Sequence, residues 1–91
     1  MKKLLEELSK NGYKYILVQR DQNKALYRQV YKNVLVGYEV FRIRIQRARF
    51  SHILGRHIPE SERFPCNEDF GRSAWAYMDL DNAVIRYYNI I

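Results

Sequence analysis

The chain has 91 residues, a formal net charge of +6 and 47% hydrophobic residues. This length predicts one domain spanning residues 1–91, and the hydrophobic content excludes an intrinsically disordered chain. The one cysteine, Cys66, rules out an intramolecular disulfide and favours a reducing compartment. Because the sequence shows neither a cleavable signal nor a run of about 20 apolar residues, we expect a cytoplasmic protein without membrane attachment.

The first predicted element is a short helix at Lys2–Asn11. Leu4, Leu5 and Leu8 would lie on one narrow apolar stripe of that helix. Gly12 favours the left-handed backbone conformation that commonly ends helices. We therefore expect an N-terminal helix that docks on the rest of the domain.

Two strands follow, at Tyr13–Arg20 and Ala25–Tyr31, with a polar turn between them. The alternation in Ala25–Tyr31 does not show which face of the strand is in the core. The next reversal has two interpretations. Either Lys32-Asn33 is a hairpin tip and Gly37 a bulge in the returning strand, or Gly37 itself makes the turn. Both interpretations predict an antiparallel meander.

The segment Glu39–Arg47 predicts the central strand, because its side chains alternate between apolar and polar. One face holds Phe41, Ile43 and Ile45. The other face holds Val40, Arg42, Arg44 and Gln46. We expect the face with three large apolar residues to be buried and the arginine face to meet solvent or a partner.

Residues 47–65 contain two prolines and a glycine and lack a clean period, which predicts that most of the stretch is a mobile basic loop. Two alternatives stay open for Phe50–Leu54, a short turn of helix or an extra strand. Residues 67–78 have two interpretations. They form either one helix capped by Asn67, or a short capped turn at 67–71 followed by a strand at Ser73–Met78. We prefer the second, because a fourth strand gives the sheet more area to cover.

Asp79 then predicts the N-cap of a helix at Leu80–Asn89. The apolar stripe that would cover the central strand consists of Leu80, Ala83, Val84, Tyr87 and Ile91. These elements predict an α+β domain with an N-terminal helix, a three- or four-stranded antiparallel β-meander and a C-terminal helix, both helices on one sheet face. The expected core side chains are Leu5, Leu8, Ile16, Val18, Phe41, Ile43, Ile45, Trp75, Leu80, Val84 and Tyr87.

Three motifs occur together in the second half of the chain: YEVFxI at 38–43, ExFPxxEDFGxxAW at 62–75 and LxxA at 80–83. The combination resembles a group of short uncharacterised proteins of phages and mobile elements of gut bacteria. The middle motif is the most specific, and the resemblance covers about half of the chain. It implies a cytoplasmic, phage-like or mobile-element context, and it implies no known activity and no functional residues.

The charge is divided unevenly along the chain. Residues 1–58 hold 13 Lys and Arg against 4 acidic residues, a net +9, and residues 59–91 hold 3 against 6, a net −3. Arginine side chains suit phosphates, and tyrosine rings supply stacking surfaces. This pattern predicts a basic arginine and tyrosine face that binds nucleic acid. The candidate contact residues are Arg42, Arg44, Arg47, Arg49, Arg56 and Tyr38.

The sequence also supports a rival hypothesis, a protein-interaction or self-associating module whose basic and acidic parts pair between molecules. Among metal ligands, His52, His57 and Cys66 lack the spacing of a zinc site. The glycines do not form a phosphate-binding loop, and no nucleophile signature is present. We therefore expect a small non-enzymatic binding protein that uses no metal, no cofactor and no small-molecule substrate.

Overall fold

A computed structural model describes residues 2–90 as an antiparallel sheet with one α-helix. The elements are β1 (Glu7–Lys10), β2 (Tyr13–Arg20), β3 (Lys24–Tyr31), β4 (Val34–Arg42), β5 (Arg44–Gln46), β6 (Arg49–Ser51), β7 (Arg56–Ile58), β8 (Ser61–Arg63), a 3₁₀ turn (Asn67–Asp69), β9 (Ala74–Tyr77) and α1 (Leu80–Asn89). Five strands form the main sheet in the order β1-β2-β3-β4-β9. The predicted meander and C-terminal helix are confirmed, and the sheet has one strand more than the largest number predicted.

The prediction of an N-terminal helix is wrong, because Glu7–Lys10 is the edge strand β1, paired antiparallel with β2. Asn11 and Gly12 have φ angles of 55° and 83° and join Lys10 to Tyr13 as a two-residue hairpin loop. The left-handed conformation that ends a helix is also the one that tight hairpin turns require. Here it serves the hairpin, since β2 offers a strand edge to pair with.

The first central hairpin forms where its turn residues predict it, and the second agrees with one of its two interpretations, a tip at Lys32-Asn33. The Asp21 carboxylate accepts hydrogen bonds from the backbone N–H groups of Asn23 and Lys24, at 2.7 and 2.9 Å. Lys32 and Asn33, with φ angles of 50° and 66°, make the second tip. The register between β3 and β4 shifts just before Gly37, as in the bulge interpretation.

Gly37 is required by close packing in the sheet. A Cβ atom built there would lie 2.7 Å from the carbonyl oxygen of Tyr77 on β9. Any other residue would push β9 away from β4, because backbone atoms cannot yield as a flexible side chain can.

The sheet is buried on both faces around β3 and β4, which answers the question left open for Ala25–Tyr31. Leu26 lies under α1, whereas Ala25 and Tyr27 lie in the opposite layer. The α1 side contains Leu26, Tyr38, Val40, Ala83, Tyr87 and Ile90. The other side contains Tyr15, Ala25, Tyr27, Phe41 and Ala74, with Leu4, Leu8, Ile43, Phe64 and Phe70 packed against them.

The helix therefore covers the other face of β4 from the one predicted. Val40 packs under α1, and Phe41 stacks on Tyr27 at 5.7 Å on the far side. Ile45 lies beyond the sheet and is 45% exposed. The predicted core is otherwise mixed: Phe41 and Tyr87 are buried, Leu8, Ile16, Ile43, Trp75 and Val84 are half-buried, and Leu5, Val18 and Leu80 are exposed. Alternation cannot identify the buried face of a strand that is covered on both sides.

The C-terminal part agrees with the preferred interpretation of a capped turn followed by a strand. Asn67–Asp69 is the turn, and Ala74–Tyr77 adds to the sheet beside β4. The Asp79 carboxylate accepts the backbone N–H of Asn82 at 3.2 Å, which caps α1. The last member of the predicted helical stripe, Ile91, lies outside the described residues.

Candidate nucleic-acid interface

The chain leaves the main sheet after β4 and forms a separate β-hairpin, residues 44–63, which we call the arm. Its base is the pair β5–β8 and its outer part the pair β6–β7. Arg44 opposes Arg63 in the base and Arg49 opposes Ile58 in the outer part, so both pairs keep one register. The prediction of a loop at 47–65 is therefore wrong for the residues that form the paired strands β6, β7 and β8. Pro59 interrupts the ladder between the two pairs, because proline has no backbone N–H to donate.

The arm makes the molecule elongated. The radius of gyration is 14.2 Å and the principal extents are 44 × 33 × 22 Å. A compact chain of this length would have a radius of gyration of about 12 Å. The excess fits a hairpin that pairs with itself and extends from the sheet.

A buried ion pair joins the base of the arm to the sheet. The two terminal guanidinium nitrogens of Arg20, at the end of β2, donate to Glu62 on β8, at 2.6 and 2.8 Å. The backbone N–H of Leu4 donates to the same carboxylate at 2.9 Å. The hydrogen bonds from Arg20 lower the pKa of Glu62 to about 2. The ion pair with Arg20 therefore anchors the base of the arm to the sheet, and it neutralises the charge of Glu62.

Three of the predicted contact residues lie along the arm and are accessible. Arg47, Arg49 and Arg56 are exposed, and none of them forms an ion pair within residues 2–90. Arg49 and Arg56 lie on neighbouring strands, Arg56 opposing Ser51 just before the tip. The outer part of the arm therefore presents uncompensated positive charge on both of its strands.

Arg44 and Arg63 face each other across the base of the arm. Like charges at directly opposed positions are unfavourable unless an anion relieves them. Arg44 donates to Asp69 at 3.0 Å, and the hydrogen bond from the backbone N–H of Cys66 also lowers the pKa of Asp69. Arg63 is exposed and adds a cation that sequence analysis missed, since only the hairpin register places it beside Arg44.

The remaining two predicted contact residues are not part of the arm. Tyr38 is 8% exposed and packs in the core under α1, so its ring is not available to stack on a base. Arg42 ends β4 opposite Lys24, whose ammonium lies 4.7 Å from the ring centre of Tyr87. Arg42 is therefore on the helix-bearing side of the sheet, apart from the arginines of the arm.

The tip of the arm is apolar and accessible. Ile53 is 97% exposed and Leu54 58% exposed. The loop is held by Ser51, whose hydroxyl accepts the N–H of Leu54 at 3.2 Å and whose carbonyl accepts the N–H of Gly55 at 2.8 Å. Gly55 has a φ of 65°, which closes the turn. The tip thus has a defined shape with its large side chains outward.

The two histidines considered as metal ligands lie beside Phe50 near the tip. The ring centres of His52 and His57 are 5.1 and 5.2 Å from that of Phe50, both edge to face. Within residues 2–90 no group of three or more His, Cys, Asp or Glu side chains is arranged to hold a metal ion. The imidazoles and Phe50 form a small aromatic cluster on one side of the outer arm.

A second buried carboxyl, Glu39, lies in the main sheet, and its pKa is shifted in the opposite direction from that of Glu62. Glu39, on β4, is 7% exposed, and its Oε2 atom has no hydrogen-bond partner among the described residues. Burial raises the pKa of Glu39 to about 7, an effect that the charge of Lys10 and a hydrogen bond with Tyr15 only partly offset. Glu39 is therefore protonated at mildly acidic pH and ionises near neutrality.

A second accessible apolar surface lies at the far end of β4. β9 pairs only with Tyr38–Phe41, so the preceding residues of β4 extend past the end of β9. Val34, Leu35 and Val36 are 64%, 50% and 42% exposed. Met78, which follows β9, is 88% exposed. An apolar strand edge of this kind is a site at which another strand can add.

In comparisons with protein-family models, curated proteins and solved structures, none proved significantly similar to this chain. No helix in residues 2–90 has the length and hydrophobicity that crossing a membrane requires.

Proposed function

We propose that this protein is a small, non-enzymatic nucleic-acid-binding protein that contacts phosphates through the arm. The observation that carries the proposal is the arrangement of charge. Arg47, Arg49 and Arg56 are exposed on a projecting hairpin and form no ion pair within residues 2–90, and Arg44 and Arg63 oppose each other at its base. Of the arm's two glutamates, Glu62 is neutralised by Arg20 of the sheet.

The shape of the arm supports the same proposal. Two-stranded β-ribbons bind DNA in either the major or the minor groove. Arginine has a planar fork of donors that matches phosphate oxygens and is weakly hydrated compared with lysine. The outer arm carries arginines on both strands and no acidic residue between Arg49 and Ile58. Directly opposed residues share a face and successive residues alternate, so Arg49 and Arg56 lie on one face of the ribbon, where a polyanion meets no repulsive charge.

The test is fluorescence anisotropy of labelled single- and double-stranded DNA and RNA, titrated at several salt concentrations. We expect micromolar or tighter binding at low salt that weakens steeply as salt rises, because bound phosphates release counterions. The variant Arg47→Ala/Arg49→Ala/Arg56→Ala should lose most of the affinity. Its log–log salt slope should be smaller by about 3, at about 0.9 per phosphate contact.

The matched control removes three positive charges from outside the arm. Arg28, Lys32 and Arg72 are exposed and lie outside the arm, so Arg28→Ala/Lys32→Ala/Arg72→Ala lowers the net charge equally. If both triple variants weaken binding to the same extent, attraction is a matter of total charge and the arm is not the site. Absence of binding at low salt would end the nucleic-acid proposal.

The alternative function, self-association as an accessory module of a phage or mobile element, is favoured by the exposed edge Val34–Val36. Two copies could pair these edges and continue the sheet across the contact. Sedimentation equilibrium would detect the dimer, and Leu35→Lys should shift it to monomer while leaving the unfolding midpoint unchanged. A wild-type protein that remains monomeric at high micromolar concentration would remove this alternative.

A further inference from the structure

We infer that the apolar tip of the arm, Ile53 and Leu54, is a wedge that enters duplex DNA between adjacent base pairs and kinks it. The inference rests on the proposed function and specifies its substrate as double-stranded, deformable DNA. Proteins that bend DNA from the minor groove insert aliphatic side chains in this manner, unstacking one base step.

The first support is the exposure of the tip combined with its order. Ile53 and Leu54 turn large aliphatic surfaces to solvent although most large apolar side chains of the chain find cover in the sheet. Two hydrogen bonds to Ser51 and the left-handed Gly55 hold the loop in one shape. A wedge needs this combination, since a loop that had to be ordered on binding would lose part of the interaction free energy.

The second support is the position of the charges relative to the tip. Arg49 and Arg56 lie on opposite strands of the hairpin, one on each side of the loop. Residues 49–51 are extended and 52–55 form the turn, and Arg56 opposes Ser51, about 7 Å nearer the tip than Arg49 at about 3.3 Å per residue. Because the minor groove is about 7.5 Å deep, the tip can reach the base pairs while Arg56 lies at the edge of the groove and Arg49 remains outside it, where the phosphates are.

The third support is the chemistry of the tip side chains. Proteins that hold single strands stack bases on aromatic rings, whereas Ile53 and Leu54 have no aromatic face. The nearby Phe50 ring already contacts His52 and His57 by their edges. An aliphatic tip flanked by arginines matches a wedge in a duplex better than a stacking platform for single strands.

The test uses a short duplex with a donor and an acceptor dye on its two ends, either fully matched or with a central two-base mismatch. We expect the wild-type protein to raise energy transfer on the matched duplex. The mismatch removes part of the unstacking cost, so the wild-type protein should bind the mismatched duplex about tenfold more tightly than the matched one. Ile53→Ser/Leu54→Ser should lose both effects but retain matched-duplex affinity within about threefold, since its arginines are intact.

The matched control is Leu5→Ser/Ile85→Ser, which removes two exposed apolar side chains from the body, each 58% accessible, and should behave as wild type. Thermal unfolding verifies that both double variants are folded. Binding that depends on the arm arginines, with no change in energy transfer or no effect of the tip variant, would overturn the wedge and leave the proposed function intact. Tighter binding to single strands or to RNA duplexes than to matched DNA would also overturn it.

A bilayer is the other environment that could take an apolar tip flanked by arginines. The last part of the test therefore uses vesicles of phosphatidylserine and phosphatidylcholine. Sedimentation of the wild-type protein with these vesicles, lost in Ile53→Ser/Leu54→Ser and accompanied by no binding to DNA or RNA, would overturn both the wedge and the proposed function.

Discussion

The main sheet and the arm are both antiparallel β-structure, yet they differ in what covers them. In β3, the consecutive residues Ala25, Leu26 and Tyr27 are all fully buried, because α1 packs on one face and aromatic residues on the other. In the arm, Arg49 and Phe50 are exposed, and the outer strands β6 and β7 pair with each other, whereas only the base is also bridged, through Ser61, to Lys2. The comparison teaches that identical backbone pairing can serve either as a core or as a projecting contact surface, depending on its cover.

The two regions also treat buried carboxyls in opposite ways. Glu62, at the base of the arm, is held ionised by Arg20, and its pKa falls to about 2. Glu39, in the sheet, has an unpartnered oxygen, and burial raises its pKa to about 7. A charge near the arm thus strengthens the structure, whereas ionisation in the sheet weakens it.

The largest expected difference comes from removing one phenylalanine from each region. Phe41→Ala should cost about 3–5 kcal/mol of unfolding free energy, because Phe41 is fully buried between Tyr27 and Phe64. A domain of this size has a total stability of about 5 kcal/mol, so the variant should be largely unfolded. Phe50→Ala, at a side chain 45% exposed, should cost under about 1 kcal/mol. Urea unfolding followed by circular dichroism checks both, and equal costs would contradict the distinction.

The anchor between the regions should have the next largest effect. Glu62→Gln leaves the Arg20 guanidinium without its carboxylate and should cost on the order of 3 kcal/mol. Glu60→Gln, two residues away and without an ion-pair partner in residues 2–90, is the control and should change stability by under about 0.5 kcal/mol. Hydrogen exchange should show faster opening of β5 and β8 in Glu62→Gln. Unchanged exchange there would show that the arm does not depend on this pair.

The same anchor determines the response to acid. Because the pKa of Glu62 is lower in the folded state, its contribution is present above the unfolded value near 4.5 and is lost as pH falls towards 2. Wild-type stability should therefore drop over this interval, and Glu62→Gln should show a smaller drop in the same chemical-denaturation series.

Glu39 should produce a pH dependence of the opposite sign. Its pKa is raised in the folded state, so its contribution is fully present below about 4.5 and is lost as pH rises through about 7. We expect wild-type unfolding free energy to fall by about 2–3 kcal/mol between pH 4.5 and pH 8, at about 1.4 kcal/mol per pKa unit. Glu39→Gln should remove this slope, and Glu68→Gln, at an exposed side chain, should retain it. A slope that persists in Glu39→Gln would assign it to other groups.

The smallest stability effect should come from the arm arginines. Arg47→Ala/Arg49→Ala/Arg56→Ala removes exposed side chains without ion-pair partners in residues 2–90, so the unfolding midpoint should move by the equivalent of about 0.5 kcal/mol or less. The same variant should lose nucleic-acid binding. A large loss of stability would mean that these residues hold the arm together, and the binding result could not then be assigned to lost phosphate contacts.

The errors of prediction have identifiable physical causes. The N-terminal helix was predicted from leucine spacing, but four residues are enough for an edge strand once β2 supplies hydrogen-bonding partners. The central strand was extended to Arg47 because alternation continues past Ile43, although the chain leaves the sheet there and its next strand pairs within the arm. Tyr38 was assigned to the contact surface because tyrosine suits both cores and interfaces.

The amino-acid sequence by itself determined the features that depend on a few neighbouring residues. The bounds of β2, the turn at Asp21–Lys24 and the capped helix α1 follow from local backbone preferences and side-chain hydrogen bonds, whereas the sequence left the tip at Lys32-Asn33 open against a turn at Gly37. Tertiary structure alone decided which faces are buried and which arginines come together. Arg44 and Arg63 are nineteen positions apart, and their meeting depends on the hairpin register. Such pairings result from competition among all strands and covering segments for the same apolar surface, and no short window of sequence contains that competition.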